Sequence, residues 1–523
     1  MGEKSFKKLT QDEIKKIKLS YCNRSETGIT VEKLAILLAN EFNVSERTVR
    51  KWFKKLGLKE KTEIEPEQYE EAKKRELNKK KKVYFFTWAQ NNTPPHTAFL
   101  NNMKAYAKFR GADIHIIAGR YKNPTSINTD EKYDFWHEEI TPYLDANRHE
   151  VSKGLVVLSD VKIQPTAVNP LSGMAGMSGI NSCIFGSPKV HFEVIPAMEG
   201  YTPKKMWTTG ACTVKNYTDS KSGKKGEFHH TLGFVIVEIE DDETFHVRQV
   251  TANNNGEFCD LIYEVKNGQV SKIDGVEAIV LGDIHIGDLD ESVFKTTKKM
   301  LDKLNPKHTI IHDLFNGHSI THHDLKNPIK LYYKEIDGTN SLKREINEMI
   351  TWLESMRKYN LVIVRSNHDD FIDRWIMNAD WKKDIKNSME YMEYAKILLE
   401  NKAPKGIIPY IIDSKFNDIK TLNRDESFVV KGWELGAHGD VGTNGSRGSI
   451  TEFRKLNTKI VVGHSHTPSR KDGVLTVGTS TKLRVGYNIG PSSWLHSHVI
   501  IHKNGKAQHI NISKNGTYTT IKD

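Results

Sequence analysis

Between positions 283 and 466 the chain carries seven side chains able to hold a divalent cation, in five clusters: Asp283 with His285, then Asp313, Asn367, His438, and His464 with His466. Two carboxylates, one amide and four imidazoles form a mixed oxygen and nitrogen set, which suits manganese, iron or zinc rather than calcium. Seven ligands with one shared is the number that holds two cations while leaving positions open to water and substrate. A lone strand-end aspartate or histidine is more often a surface group or a hydrogen-bonded core residue, so the weight lies in the series.

The surrounding pattern accounts for how such residues could meet. An apolar run, Ala278 to Leu281, predicts a buried strand ending in Gly282-Asp283-Ile284-His285-Ile286-Gly287, where i, i+2 spacing aims a carboxylate and an imidazole to the same side. A helical pattern through Val293, Met300, Leu301 and Leu304 leads to a strand at Thr309–Ile311 that ends in His312-Asp313. A polar loop with His318, His322 and His323 and a helix through Leu342 to Leu353 lead to a third strand, Leu361–Val364, ending in Ser366-Asn367-His368-Asp369. Strand, ligand-bearing loop and helix repeated in this way predict an α/β fold whose parallel sheet carries its site at the strands' C-terminal edge. Strands at 428–431 and 460–462 then lead to His438 and to Gly463-His464-Ser465-His466.

In order, Asp283-Ile284-His285, Asp313, Asn367-His368-Asp369, His438 and His464-Ser465-His466 resemble the five motifs of the calcineurin-like metallophosphoesterases, over about residues 276–512. The resemblance implies a β-sandwich flanked by helices. It also implies a first metal held by Asp283, His285 and His466, a second held by Asn367, His438 and His464, and Asp313 bridging both. Two cations about 4 Å apart would activate a bridging hydroxide for in-line attack on phosphorus. His368 would then protonate the leaving oxygen or stabilise the transition state, while Asp369 either orients His368 or caps the following turn. The chain departs from the family at His312 and Asn316, where Gly and Asp or His are usual, and at Ser366, where Gly is common. His318 could replace the missing histidine, or its loop could contact nucleic-acid phosphate or simply be solvated. Protein phosphatases of this family carry Asp-Arg-Gly at the bridging aspartate and Arg after Asn-His. Neither is present, and Asp313-Leu314-Phe315 resembles instead the DNA-repair nuclease branch typified by SbcD.

Four segments are expected: a helical domain over 1–62, a charged linker or helix over 63–82, an α/β domain without a catalytic constellation over 83–275, and the metallophosphoesterase-like domain over 276–523. In the first, Thr10 and Glu13 form a capping box, a helix follows Thr30, and Ser45 caps another. This helix-turn-helix pattern presents Arg47, Arg50, Lys51, Lys54 and Lys55 either to DNA or to solvent as the face of a packing bundle. The Gly-rich stretch 172–186 reads as a mobile loop, since its spacing matches no phosphate-binding fingerprint. Arg447, in the loop 442–448, and Arg454, Arg374 and Lys482 are further basic residues that either meet phosphate or lie on the surface.

A formal net charge of +11 over 523 residues, with pI near 9.1, suits a polyanionic partner such as DNA. Four cysteines without paired spacing argue against a disulfide framework or structural zinc. No apolar run is long enough to cross a bilayer, so a cytoplasmic protein without a membrane partner is expected. A helix-turn-helix and an unassigned middle domain before a nuclease-like phosphoesterase also resemble the pre-early host-DNA-degrading nucleases of tailed phages. That resemblance implies two manganese ions, with iron, zinc and magnesium as alternatives, the host cytoplasm as location, and a homo-oligomer. The expected function is a two-metal-dependent phosphodiesterase, foremost a DNA nuclease. The alternatives are a hydrolase of cyclic nucleotides or small phosphodiesters, and a DNA-binding regulator or scaffold with a vestigial metal site.

Overall fold

The computed structural model describes residues 9–22, 31–56, 58, 67–121, 135–324, 327–486 and 488–521. They form a mixed α/β structure with several sheets and, among the described residues, thirteen α-helices. The chain divides into a small unit, up to residue 68, and a large one from Tyr69 onward.

In the small unit the helices Gln11–Cys22, Val31–Glu41 and Glu46–Lys55 enclose one core of Ile17, Tyr21, Leu34, Leu38, Val49, Trp52 and Phe53. The first starts where the capping box predicts, with Thr10 N donating to Glu13 Oε2 at 2.8 Å and Glu13 N to Thr10 Oγ1 at 3.3 Å. The third starts at Ser45, whose hydroxyl accepts from Thr48 N. Arg47, Arg50, Lys51, Lys54 and Lys55 are exposed, although Arg50 is paired with Glu46 at 2.6 Å and with Glu32 at 3.4 Å. Thr30 and residues 63–66 of the expected linker lie outside the described residues.

Of the expected charged linker or helix, Glu67–Lys73 is a helix and most side chains over 69–82 are exposed, but the segment is anchored. Ala72 is buried, Ala146 N donates to Ala72 O, and Arg75 Nη1 donates to Pro142 O at 2.6 Å. The run of charges hid the few side chains that anchor it.

In the large unit a six-stranded sheet takes the order Lys420–Leu422, Leu361–Val364, Thr309–Ile311, Ala278–Val280, Ser497–Ile501, Ala507–Asn511. Its first four strands are parallel, with Ile279 opposite Thr309 and Thr309 opposite Leu361. Strands Ala278–Val280, Thr309–Ile311 and Leu361–Val364 are buried throughout, as strands covered on both faces must be. One face packs on the helices Glu291–Leu304, Leu342–Met356, Asp370–Asn378 and Ile407–Lys415 through Leu301, Met349, Ile372 and Ile411. On the other face Val280, Ile310, Val362 and Val364 share a core with Trp433, Val461, Leu475 and Val477 of a second sheet.

The strands leading to His438 and His464, Trp433–Glu434 and Lys459–Val462, belong to that second sheet. It is also ten-stranded and crosses the expected boundary at 275/276: Ser469–Lys471 meets Phe192–Ile195 through the pair Arg470 and Phe192. The regions 83–275 and 276–523 are therefore parts of one compact unit. A strand's own alternation shows which side chains are buried but not which distant strand it pairs with. Part of the Gly-rich stretch is likewise not a loop: Ser182–Phe185 is a fully buried strand, parallel to Leu155–Leu158 and Lys204–Thr208. A further strand, Phe192–Ile195, follows it in the same sheet. Cys183, Cys212 and Cys259 are buried and unpaired. No helix among the described residues is long and apolar enough to cross a membrane.

Candidate metal centre

Five strand ends and loops bring the expected ligands into two adjoining groups. Asp283, His285, Asp313 and His466 place one ligand atom each within 4.8 Å of all the others, and Asp313, His438 and His464 do the same, so that Asp313 belongs to both. In the first group His466 Nε2 lies 3.0 Å from Asp283 Oδ2 and 3.1 Å from His285 Nε2, which is 3.4 Å from Asp313 Oδ2. In the second, His438 Nε2 lies 3.2 Å from Asp313 Oδ2 and 3.1 Å from Asn367 Oδ1.

The polar atoms here are not satisfied by the protein. Both carboxylate oxygens of Asp283 and Oδ1 of Asp313 are buried without a hydrogen-bond partner, as is Nδ1 of His285, His438 and His466. Buried carboxylates without donors are costly. Divalent cations supply what these carboxylate oxygens lack and would take the imidazole Nε2 atoms beside them as ligands, so the residues present fit a pair of metals. The charges respond to one another accordingly. Burial alone would raise the Asp313 carboxyl, but His438 and His285 hold it well below the usual range. Burial works against a charged His438, yet Asp313 and Asp283 lift it to about 9.

Backbone strain and close packing shape this centre. His285, Asp313, His464 and His466 have φ of 44°, 47°, 66° and 54°, a region that residues with a Cβ rarely occupy. Four such residues among seven candidate ligands is the concentration of strain that functional sites show. Gly463 leaves room for Asp283: a Cβ there would lie 2.3 Å from Asp283 Oδ1 and 3.0 Å from the His312 ring. Asp283 is itself clamped by a distant segment. Its N donates to Gly478 O, its carbonyl accepts from Ser480 N at 2.8 Å and from Thr479 Oγ1, and Ser480 Oγ donates to Gly282 O. Gly282 N donates to His498 Nδ1 at 2.8 Å, and Thr297 Oγ1 holds the other ring nitrogen. Burial pushes His498 down to about 3, keeping it neutral and able to accept at Nδ1. Sequence reasoning missed Thr479, Ser480 and His498, whose only signal was the polar run Gly478-Thr479-Ser480-Thr481 at the end of a strand.

His368 borders the first group, its ring centroid 4.5 Å from that of His285. Its Nδ1 donates to Asn316 O at 2.7 Å, and burial lowers its pKa to about 4. The catalytic expectation for Asp369 needs correction. Its Oδ2 accepts from Ser366 N at 2.9 Å and Ser366 Oγ at 3.1 Å, so it closes the turn that carries Asn367 and His368. Its carboxylate bonds to Ser366 where His368 bonds to Asn316, and Ser366, in place of the usual glycine, supplies that bond.

The other departures also find places. Asn316 holds His368 through its carbonyl, and its amide donates to Asp288 Oδ2 at 2.9 Å. His312 is buried against His438 with neither ring nitrogen partnered, its pKa pushed by burial to about 4. His318 is not brought into either group: its ring is exposed, its N donates to Glu345 and its carbonyl accepts from Lys334. Arg447 is exposed in the loop after His438. Arg454 is paired with Asp472, and Arg374 lies 3.7 Å from Asp370. Arg47, Arg50 and Lys51 belong to the small unit.

Over 471 residues the chain is 32% identical to Protein A1 of Escherichia phage T5, an alignment covering 84% of this chain and 83% of that protein. The chain belongs to the family of that phage protein. The kinship supports a phage-encoded origin. No protein-family profile and no solved structure matches the chain.

Proposed function

We propose that this chain is a two-metal phosphodiesterase whose substrate is DNA. The observation that carries the reading is Asp313, a buried carboxylate common to two groups of ligands that the protein itself leaves unsatisfied. The packing of two sheets on a shared core, with helices outside and ligands at loops between them, supports a calcineurin-like metallophosphoesterase fold. Asp283, His285 and His466 hold one cation, Asn367, His438 and His464 the other, and Asp313 both. When bound, two cations neutralise charge on the phosphate and make water a nucleophile at neutral pH, and the ligand set favours manganese.

The chain's own residues supply the rest. His368 donates its Nδ1–H to Asn316 O, so the negative charge of a bound phosphodiester must first favour protonation at Nε2, which then gives that proton to the leaving oxygen, and the Ser366–Asp369 turn holds Asn367 and His368 in register. The net charge of +11 and the exposed Arg47, Lys51, Lys54 and Lys55 on Glu46–Lys55 support a nucleic-acid partner, with that helix as the reading element of a helix-turn-helix. The phage kinship favours host DNA as the target and the host cytoplasm as the place of action.

The test is cleavage of linear and circular duplex DNA with manganese by wild type, Asp313→Ala and His368→Ala. Cutting by wild type that Asp313→Ala abolishes supports the nuclease, and loss of circular DNA marks an endonuclease. Intact DNA beside a hydrolysed small phosphodiester would keep the metal centre and overturn the substrate. No hydrolysis of either under manganese, magnesium and zinc would leave a binding protein with a vestigial site.

A further inference from the structure

A groove of about 1050 Å³ opens beside the metal centre, between the loop 196–203 and residues 483–484 and 492–495, and the 83–275 region supplies most of its walls. The two sides are stitched together: Ala197 N donates to Ser492 O at 3.0 Å and Ser492 N to Ala197 O at 2.9 Å, while Arg484 Nη2 donates to Ala197 O at 3.4 Å. The groove is therefore a preformed feature of the chain. Its wall leads to a candidate ligand, because the Trp494 ring packs on His466 with centroids 4.1 Å apart and Leu495 N donates to His466 O.

The lining combines two chemistries. Ile180, Met198 and Tyr201 stand 86%, 59% and 70% exposed along it, large apolar surfaces that folding left in water. Cationic side chains outnumber carboxylates on its walls. Of the carboxylates, Glu243 is paired with Lys153 at 2.7 Å, Asp241 accepts from the backbone N of Glu243 and Thr244, and Glu199 remains. Lys205 lies 5.3 Å from the centre of the Phe245 ring, and burial, with the like charge of Lys514, lowers its pKa to about 8. Lys205 and Lys514 both line the groove, and cations on its walls are neutralised by the phosphates of a bound strand. Exposed apolar and aromatic surface beside them accepts the faces of bases without regard to sequence. A duplex hides its bases in the stack and offers such a surface only its backbone. A single strand offers both parts.

We infer that this groove holds a single strand of nucleic acid, its phosphates between Lys205 and Lys514 and its bases against Tyr201, Met198 and Ile180, and guides it to the metal centre. The inference rests on the phosphodiesterase reading above and gives the 83–275 region a role in it, that of presenting the strand.

The experiment is fluorescence anisotropy of a labelled oligothymidylate of about twelve nucleotides, in EDTA, with full-length wild type, the double variant Lys205→Glu/Lys514→Glu, and Tyr201→Ala. Removing two phosphate contacts should weaken binding by about tenfold or more and reduce the salt slope by about 1.4. Tyr201→Ala, at an exposed position where folding is not in question, should weaken it by about fivefold or more. Thermal unfolding midpoints identify any variant that does not fold, in which case Tyr201→Ala decides. Affinities of the folded variants within about twofold of wild type, or no binding by wild type, would overturn the groove assignment. Because binding is read without metal, failure of the catalytic reading shows separately, as absent DNA cleavage by wild type.

Discussion

Gly463→Ala adds one methyl group at the point where the centre has no room for it. The new Cβ would lie 2.3 Å from Asp283 Oδ1, about 1 Å inside ordinary contact, with the His312 Cβ and Cγ each 3.0 Å away. Position 463 does not have a left-handed backbone, so the substitution is not strained by φ and reports the collision alone. Asp283 cannot retreat freely, since Gly478, Thr479 and Ser480 hold its N and carbonyl. Its carboxylate must therefore rotate away from His466. A ligand misplaced by about 1 Å costs on the order of 100-fold in rate, and overpacking a filled interior costs about 1–3 kcal/mol of stability. The first assay is metal content after reconstitution and desalting, where we expect one of two cations lost or loosely held. The second is hydrolysis of a small phosphodiester under manganese, where we expect a drop of about 100-fold. A variant that retains both cations and full activity would refute the assignment of Asp283 as a ligand and the crowding that explains Gly463.

Three further outcomes are expected. His368→Ala should lower cleavage of DNA by about 10²–10⁴-fold while sparing a p-nitrophenyl diester, whose leaving group needs no proton; equal losses on both would remove the leaving-group role. Burial would raise Glu238 and Asp260, but Arg248, which donates to both at 2.8 and 2.9 Å, and Arg110, which donates to Glu238 at 2.6 Å, hold them below the ordinary carboxylate range, so their stabilisation is present above that range and is lost as pH falls through the depressed values. Glu238→Gln should thus cost about 3–5 kcal/mol near neutrality and flatten the decline of the unfolding midpoint below about pH 4, and an unchanged acid profile would count against it. Arg47→Glu with Lys51→Glu should reduce the salt slope of duplex binding by about 0.9 for each phosphate contact removed, and an unaltered slope would take the small unit out of the DNA interface.

The sequence by itself determined which residue types meet and in what order along the chain. Asp283 with His285, Asp313, Asn367, His438, and His464 with His466 each follow an apolar run, and that is a local pattern: a buried strand ends and a polar side chain emerges at its tip. Capping is local in the same way, as Thr10 with Glu13 and Ser45 with Thr48 show. Tertiary structure alone decided matters that depend on residues far apart. The strands before His438 and His464 pair in a second sheet, and Arg470 opposite Phe192 joins regions whose textures suggested a boundary. The clamp on Asp283 from residues 478–480 spans almost two hundred positions, and the space kept by Gly463 is defined only by what packs against it. The same holds for His318, placed by its loop away from the ligands, and for Asp369, whose carboxylate chose Ser366 over His368. Periodicity reports burial along one element. Which elements face one another is settled only when the chain closes on itself, and in this protein that closure brings Asp313 within reach of both groups of ligands.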